Sequence, residues 1–169
     1  MSKFLVLTQA AALCFIVGSS ASQAQEEAVS PDKIPQVVLD ALKSKFPQAK
    51  IDKCTKAKEG DDIIYDIEFK QEARKCEADI KENGTYINYE KAIEAAALPK
   101  AVRDALEKRY PKATLTEIME ETEVTGKDEK LSAYEVVLVT ADKKDVEVRL
   151  SPDGKILEDT GAAQPEGKK

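Results

Sequence analysis

Eighteen residues, Ile34 to Ile51, return 64 positions later as Leu98 to Leu115 with seven identical pairs. The pairs are Pro35/Pro99, Val38/Val102, Asp40/Asp104, Ala41/Ala105, Leu42/Leu106, Pro47/Pro111 and Ala49/Ala113. Ile/Leu, Phe/Tyr and Lys/Arg exchanges account for much of the remainder. Self-similarity at a fixed offset implies one supersecondary unit built twice. The repeated stretch predicts a helix. Ile34, Val38, Ala41 and Leu42 fall on one face, while Gln36, Asp40, Lys43 and Ser44 point away. Pro35 suits the first helical position, where its missing N–H is not needed. Pro47 stops the helix because it cannot continue the hydrogen-bond ladder. In the second copy Leu98, Val102, Ala105, Leu106 and Tyr110 form the stripe, and Pro111 ends it. Helices of about three turns are marginal in water alone, so each needs a sheet for its apolar stripe.

After each helix the hydrophobic period changes to two. Residues 50 to 58 read as extended, with a turn at Glu59–Asp62. Tyr65, Ile67 and Phe69 then alternate with Asp66, Glu68 and Lys70, and Cys76, Ala78 and Ile80 with Glu77, Asp79 and Lys81. Asn83-Gly84 is a hairpin signal because both central turn positions tolerate positive φ. It also matches an N-glycosylation acceptor with Thr85, but a hairpin needs Asn-Gly in any case. The second copy replays this order with Tyr134, Val136 and Leu138, then Val146, Val148 and Leu150, then Pro152-Asp153-Gly154. The expected fold is α+β: two tandem repeats, each a helix packed on a four-stranded antiparallel sheet with one wet face. The repeats span residues 34–89 and 98–160. A flexible lead-in (25–33), an Ala-rich helical connector (90–97) and a disordered tail (161–169) complete the chain.

Residues 1–24 have the form of a secretory signal. Lys3 supplies the positive charge, Phe4 to Val17 the apolar run, and Ser22-Gln23-Ala24 a site for cleavage after Ala24. Fourteen apolar positions fall short of the roughly 20 needed to span a bilayer. An exported chain, periplasmic or secreted, is expected. Its mature part has 25 basic and 32 acidic residues, a net charge of −7. That balance argues against nucleic acid, whose recognition needs Lys and Arg against phosphate, and against anionic membrane surfaces; with no long apolar segment after the signal, no membrane insertion is expected.

Two cysteines remain after processing, Cys54 and Cys76. An even count in an exported protein points to one disulfide, and buried free thiols are the alternative. The geometry is awkward. In a simple meander the two residues flank an intervening strand, roughly 9–10 Å apart, whereas a disulfide wants Cα atoms within about 7 Å. The first strand would have to bend.

Catalytic and metal chemistry have little to stand on. The chain contains no His, which removes the commonest general base and the commonest transition-metal ligand. No Gly-rich phosphate loop occurs. Asp61-Asp62 and Glu120-Glu121 lack the loop spacing of a dedicated calcium site. No cofactor and no metal is expected. One asymmetry between the copies suggests a contact surface: the outward positions of the strand carrying Tyr134 include Val137 and Val139, where the first copy has only charge. With Tyr86 and Tyr89 they are the candidate partner-binding residues.

The pattern Leu/Ile-Pro-x-x-Val-x-x-Ala-Leu…Phe/Tyr-Pro-x-Ala, then Tyr-x-Val/Ile-x-Leu/Phe, then Asn/Asp-Gly before a last short strand, resembles the PepSY-like domains. These are also described as β-lactamase-inhibitor-protein-like. The resemblance covers residues 34–89 and 98–159. It implies an exported, non-enzymatic bacterial protein that binds or restrains another exported protein, such as a peptidase or β-lactamase. A soluble envelope protein with no inhibitory activity is the alternative. An enzyme with paired carboxylates ranks last, because the acids sit in charged company.

Overall fold

The computed structural model describes residues 26–161. Its strands are β1 (Glu27–Ala28), β2 (Lys50–Glu59), β3 (Asp62–Gln71), β4 (Arg74–Lys81), β5 (Tyr86–Ala92), β6 (Thr114–Thr125), β7 (Asp128–Val139), β8 (Asp145–Leu150) and β9 (Ile156–Asp159). The helices are α1 (Gln36–Lys45) and α2 (Lys100–Arg109), again 64 residues apart. All nine strands join one antiparallel sheet in chain order.

This overturns the expectation of two repeats, each with its own four-stranded sheet. β5 and β6 pair directly, from Asn88 against Glu123 to Ala92 against Met119. Two separate sheets would each leave a row of unpaired backbone groups at that edge, and pairing them satisfies both rows. The lead-in is ordered too: Glu27 and Ala28 pair with Lys56 and Thr55, adding a short ninth strand at the β2 edge. Of the connector, residues to Ala92 belong to β5 and Ala95–Ala97 form a 3-10 turn. The signal-like segment 1–24 and most of the tail lie outside the described residues.

Both prolines stand one position earlier than expected. Pro35 and Pro99 cap their helices in extended geometry (φ −57°, ψ 140° and φ −56°, ψ 147°). The Pro35 carbonyl accepts from Val38 and Leu39 N–H. Each helix closes with an N–H from the aromatic residue before the stop proline, Phe46 to Leu42 O (2.8 Å) and Tyr110 to Leu106 O (2.7 Å). Under α1 pack Val38, Leu42, Phe46, Ile67, Phe69, Cys76 and Ile80, and under α2 pack Val102, Leu106, Val136, Leu138, Val148 and Leu150. The strand registers put both clusters on one face of the sheet, since Tyr89 of the first lies opposite Thr122, which is four residues along β6 from Ile118 and so on its side.

The hairpins after β4 and β8 press against the helices. Gly84 and Gly154 have φ of +84° and +85°, and a Cβ on Gly154 would stand 2.5 Å from Ala101 O. Neither the dihedral nor the space suits a side chain. Gly154→Ala is therefore expected to cost about 2 kcal/mol or more. A urea-denaturation midpoint shared with the wild type would refute that reading.

The cysteines are buried free thiols, so the expected disulfide is not formed. Cys54 pairs with Ile67 and Cys76 with Phe69, which leaves β3 standing between them, as the meander geometry threatened. Burial, with help from the nearby Asp66 carboxylate, pushes the Cys54 thiol up to about 12, and burial raises Cys76 as well. A thiolate is the reactive species. We expect neither thiol to react with Ellman's reagent in the native mature chain, and two to react in denaturant. Zero thiols in denaturant without reductant would mean that the bond exists.

Candidate functional site

The helices cover one face of the sheet and leave the other open. On the open face the strand registers line up Lys53 of β2, Asp66 and Glu68 of β3, Lys75 and Glu77 of β4, Glu117 of β6, Glu135 and Val137 of β7, and Glu147 of β8. With Glu26 these residues line a groove of about 190 Å³. Seven carboxylates face two lysines there.

Local alternation produces this arrangement. Along the strands most apolar residues go under the helices, which sends the intervening charged residues, with Met119, Val137 and Val139 as apolar exceptions, to the open side. The lysines bridge the acids. Lys75 Nζ lies 2.5 Å from Glu117 and 3.2 Å from Glu77, and Lys53 Nζ lies 2.9 Å from Glu68. Burial works against the Lys75 charge, but hydrogen bonds to Glu117 and Glu77 outweigh it and hold the ammonium above its usual range. The Glu68 hydrogen bond does the same for Lys53. At the far wall, burial and then repulsion from Glu158 and Glu77 raise the Glu147 carboxyl. The excess negative charge is thus felt within the groove itself.

Towards the sheet centre the open face is closed over. Glu90 is 4% exposed, Met119 2% and Glu121 7%. Arg149 reaches across from β8 and grips Glu121 with two parallel bonds, Nε to Oε2 at 2.7 Å and Nη2 to Oε1 at 2.8 Å. Such a fork is rigid and directional. It fixes the floor beside which the groove opens. Among the described residues no three acids or thiols converge closely enough to hold a metal ion, and no helix is long and apolar enough to cross a membrane. What the face offers is a fixed pattern of negative charge around one valine.

The same order of helix, meander and hairpin turns is that of a known family. The family described as "Putative beta-lactamase-inhibitor-like, PepSY-like" matches residues 21–87 and again residues 63–158. The chain belongs to this family. Solved structures share the fold of this PepSY-like chain. A BLIP-like protein from Bacteroides fragilis is 19% identical, covering 80% of this chain and 92% of its own, with a TM-score of 0.53. A DUF2874 family protein from Bacteroides uniformis is 16% identical over 74% and 87%, with a TM-score of 0.56. A chain described as "putative periplasmic proteins", from Bacteroides eggerthii, is 12% identical over 74% and 86%, with a TM-score of 0.58. At these identities the likeness is one of fold. No curated protein matches the chain.

Within the PepSY-like sheet the four expected partner-binding residues separate. Val137 lines the open groove, and Val139 is half-buried two positions further along the same face. Tyr86 and Tyr89 lie on the helix side instead. The Tyr86 hydroxyl donates to Ala41 O at 3.2 Å, and Tyr89 packs edge-on against Phe46 at 5.6 Å while its hydroxyl donates to Glu129 Oε2 at 2.8 Å. Three residues apart, they would face opposite sides of a regular strand. A bulge where Asp79/Asn88 gives way to Ile80/Tyr86 brings both to the same side. The groove's carboxylates were visible in the sequence as charged alternate positions, but the alternation alone reads as solvated exterior.

Proposed function

We propose that the protein is an exported, non-enzymatic binding module which holds another exported protein against the open face of its sheet. The observation that carries this reading is the groove around Val137: an acidic, half-buried recess on a face that no helix covers. A fixed excess of negative charge, seven carboxylates to two lysines, favours a partner surface of the opposite sign and suppresses acidic competitors, so the partner presents a basic surface. Membership of a family named for likeness to β-lactamase inhibitors supports a β-lactamase or a peptidase of the same compartment as the partner class. The periplasmic description of the similar Bacteroides eggerthii chain supports placement in the periplasm, with residues 1–24 as the export signal.

The test is affinity capture from a periplasmic fraction on the mature chain, followed by titration of the purified partner. Three baits are compared: wild type, Glu135→Lys/Val137→Lys on the groove, and Val37→Ser on the exposed helix face. Capture by the first and third alone, with affinity falling at least about tenfold between low and high salt, is the expected result. Equal capture by the groove variant would sink the reading. So would the absence of any partner for a folded bait, which would favour a structural envelope protein.

A further inference from the structure

A second recess lies on the helix side of the sheet, where α1 ends and β3 turns into β4. It encloses about 320 Å³ and is lined by Lys45, Phe46, Arg74, Cys76 and Lys91, with Glu72 among the lining residues. In a chain of net charge −6, three cations against one carboxylate reverse the general balance. Phe46 is 5% exposed and Cys76 1%, so the base of the recess is apolar. Lys91 Nζ stands over two rings, 5.8 Å from the centroid of Phe46 and 4.8 Å from that of Tyr89. The turn before Arg74 places two non-glycine residues, Glu72 (φ 52°) and Ala73 (φ 68°), in the left-handed region. Each is held there at a cost of about 1–2 kcal/mol.

The second helix end supplies a comparison inside the same chain. Arg109 and Tyr110 stand 64 residues on from Lys45 and Phe46. There a carboxylate of the chain fills the position: Asp159 lies 2.8 Å from Arg109 Nε and accepts from the Tyr110 hydroxyl and, at 2.9 Å, from Gly161 N–H. Lys144, which precedes Val146 as Arg74 precedes Cys76, is neutralised by Asp142 at 2.7 Å. Both counterparts, Arg109 and Lys144, thus have a counter-charge at that end. At the α1 end Lys45 is matched by Glu129, which also takes the Tyr89 hydroxyl. Arg74 and Lys91 form no ion pair among the described residues. Tyr89 occupies the register position that Asp159 holds in the second half, opposite Ala78 as Asp159 is opposite Val148. At the α1 end the chain's own carboxylate thus comes from Glu129 of β7 and sits on Lys45 and Tyr89, which leaves Arg74 and Lys91 without an ion-pair partner among the described residues.

We propose that the α1 recess binds a carboxylate group supplied from outside the chain, with Arg74 and Lys91 as counter-charges and the Phe46 ring against its apolar part. A guanidinium fork and a partly desolvated ammonium beside an aromatic wall suit a carboxylate carried on an apolar body. The recess is at the lower end of small-ligand sites in volume. Two sources share this chemistry, a free small carboxylic acid and the C-terminal carboxylate of a peptide. The site is on the opposite side of the sheet from the acidic groove and stands or falls separately from it.

The experiment is amide chemical-shift titration of the ¹⁵N-labelled mature chain. The probes are benzoate, its neutral isostere benzamide, and an N-acetylated Ala-Ala-Phe tripeptide as free acid and as amide. Benzoate is expected to give saturable shifts at Phe46, Gln71 to Cys76 and Lys91, with benzamide at least about tenfold weaker because it lacks the charge. Arg74→Gln/Lys91→Met should weaken benzoate by about tenfold or more, and Glu72→Gln should tighten it about twofold. Arg74 is exposed on a hairpin, so Arg74→Gln alone folds and should weaken binding about threefold. Saturation by the free-acid peptide at the same residues, but not by its amide, assigns the source to chain termini; saturation by benzoate alone assigns it to small acids. The proposal is overturned by no saturation with benzoate or the free-acid peptide up to about 20 mM, by equal shifts with benzamide, or by unchanged affinity in a folded Arg74→Gln variant.

Discussion

Phe69→Ala is expected to lower the stability of the protein by about 4 kcal/mol, within the range for truncating a buried phenylalanine. Phe69 heads the fully buried side chains at 1% exposure. Its ring meets that of Phe46 at 4.8 Å between centroids with the planes at 56°. On β3 it lies between Ile51 of β2 and Cys76 of β4, so backbone pairing on both sides prevents collapse around the lost ring. The cost therefore combines lost transfer energy with the cavity left behind. For a domain holding about 5–15 kcal/mol in total, that is a large fraction. In urea, with a slope of about 2 kcal/mol per molar, the midpoint should fall by about 2 M with the slope unchanged. A shift under about 0.5 M would show that α1 can settle into the space, and the close packing described here would be wrong. Phe69→Leu, which keeps most of the volume, should cost about 1.5 kcal/mol or less.

The consequence reaches function. Phe46 forms the apolar wall of the α1 recess and rests on Phe69. Loss of the Phe69 ring should therefore loosen the recess even under conditions where the protein stays folded. The acidic groove depends on the other side of the same strand, on Asp66 and Glu68, and should be affected less.

What the sequence shows and hides follows from the range over which each signal acts. The helices, their proline stops and the alternating strands are local patterns within about ten residues, and Val38, Leu42, Ile67, Phe69, Val136 and Leu138 all reach the core. Joining the sheets depends on Asn88–Ala92 finding Met119–Glu123, some thirty residues away, and nothing in the side-chain pattern marks that register. The bulge that turns Tyr86 to the helix side is equally silent, because it changes the pairing without changing the composition. Cys54 and Cys76 illustrate the opposite case. Their parity placed both facing the core, and strand spacing showed the difficulty with a disulfide; the count of two outweighed it wrongly. Arg149 was the least legible. On alternation alone it is one more outward charge, and only the fold reveals that Glu121 lies beneath it.

That pair supports the second large prediction. Arg149→Met should destabilise the protein by about 3 kcal/mol, the lower end of the range for removing one partner of a buried ion pair. Glu121 is 7% exposed, and its side chain, with that of Arg149, sits at 10% and 23% accessibility. Both guanidinium bonds go to it, and Glu121 holds the Arg149 charge above its usual range while burial pulls the other way. Methionine keeps much of the aliphatic stem but leaves a carboxylate without its strongest partner in a place where water reaches poorly. Arg149→Lys keeps the charge but loses the fork, and should recover only part of the loss. The decisive variant is Arg149→Met/Glu121→Gln. If the cost of the single change arises from the stranded charge, removing that charge should restore about half of it or more, measured as the non-additive part of a double-mutant cycle. Simple additivity of the two changes would mean that Arg149 contributes through packing alone. The groove would then owe its floor to shape and not to the ion pair.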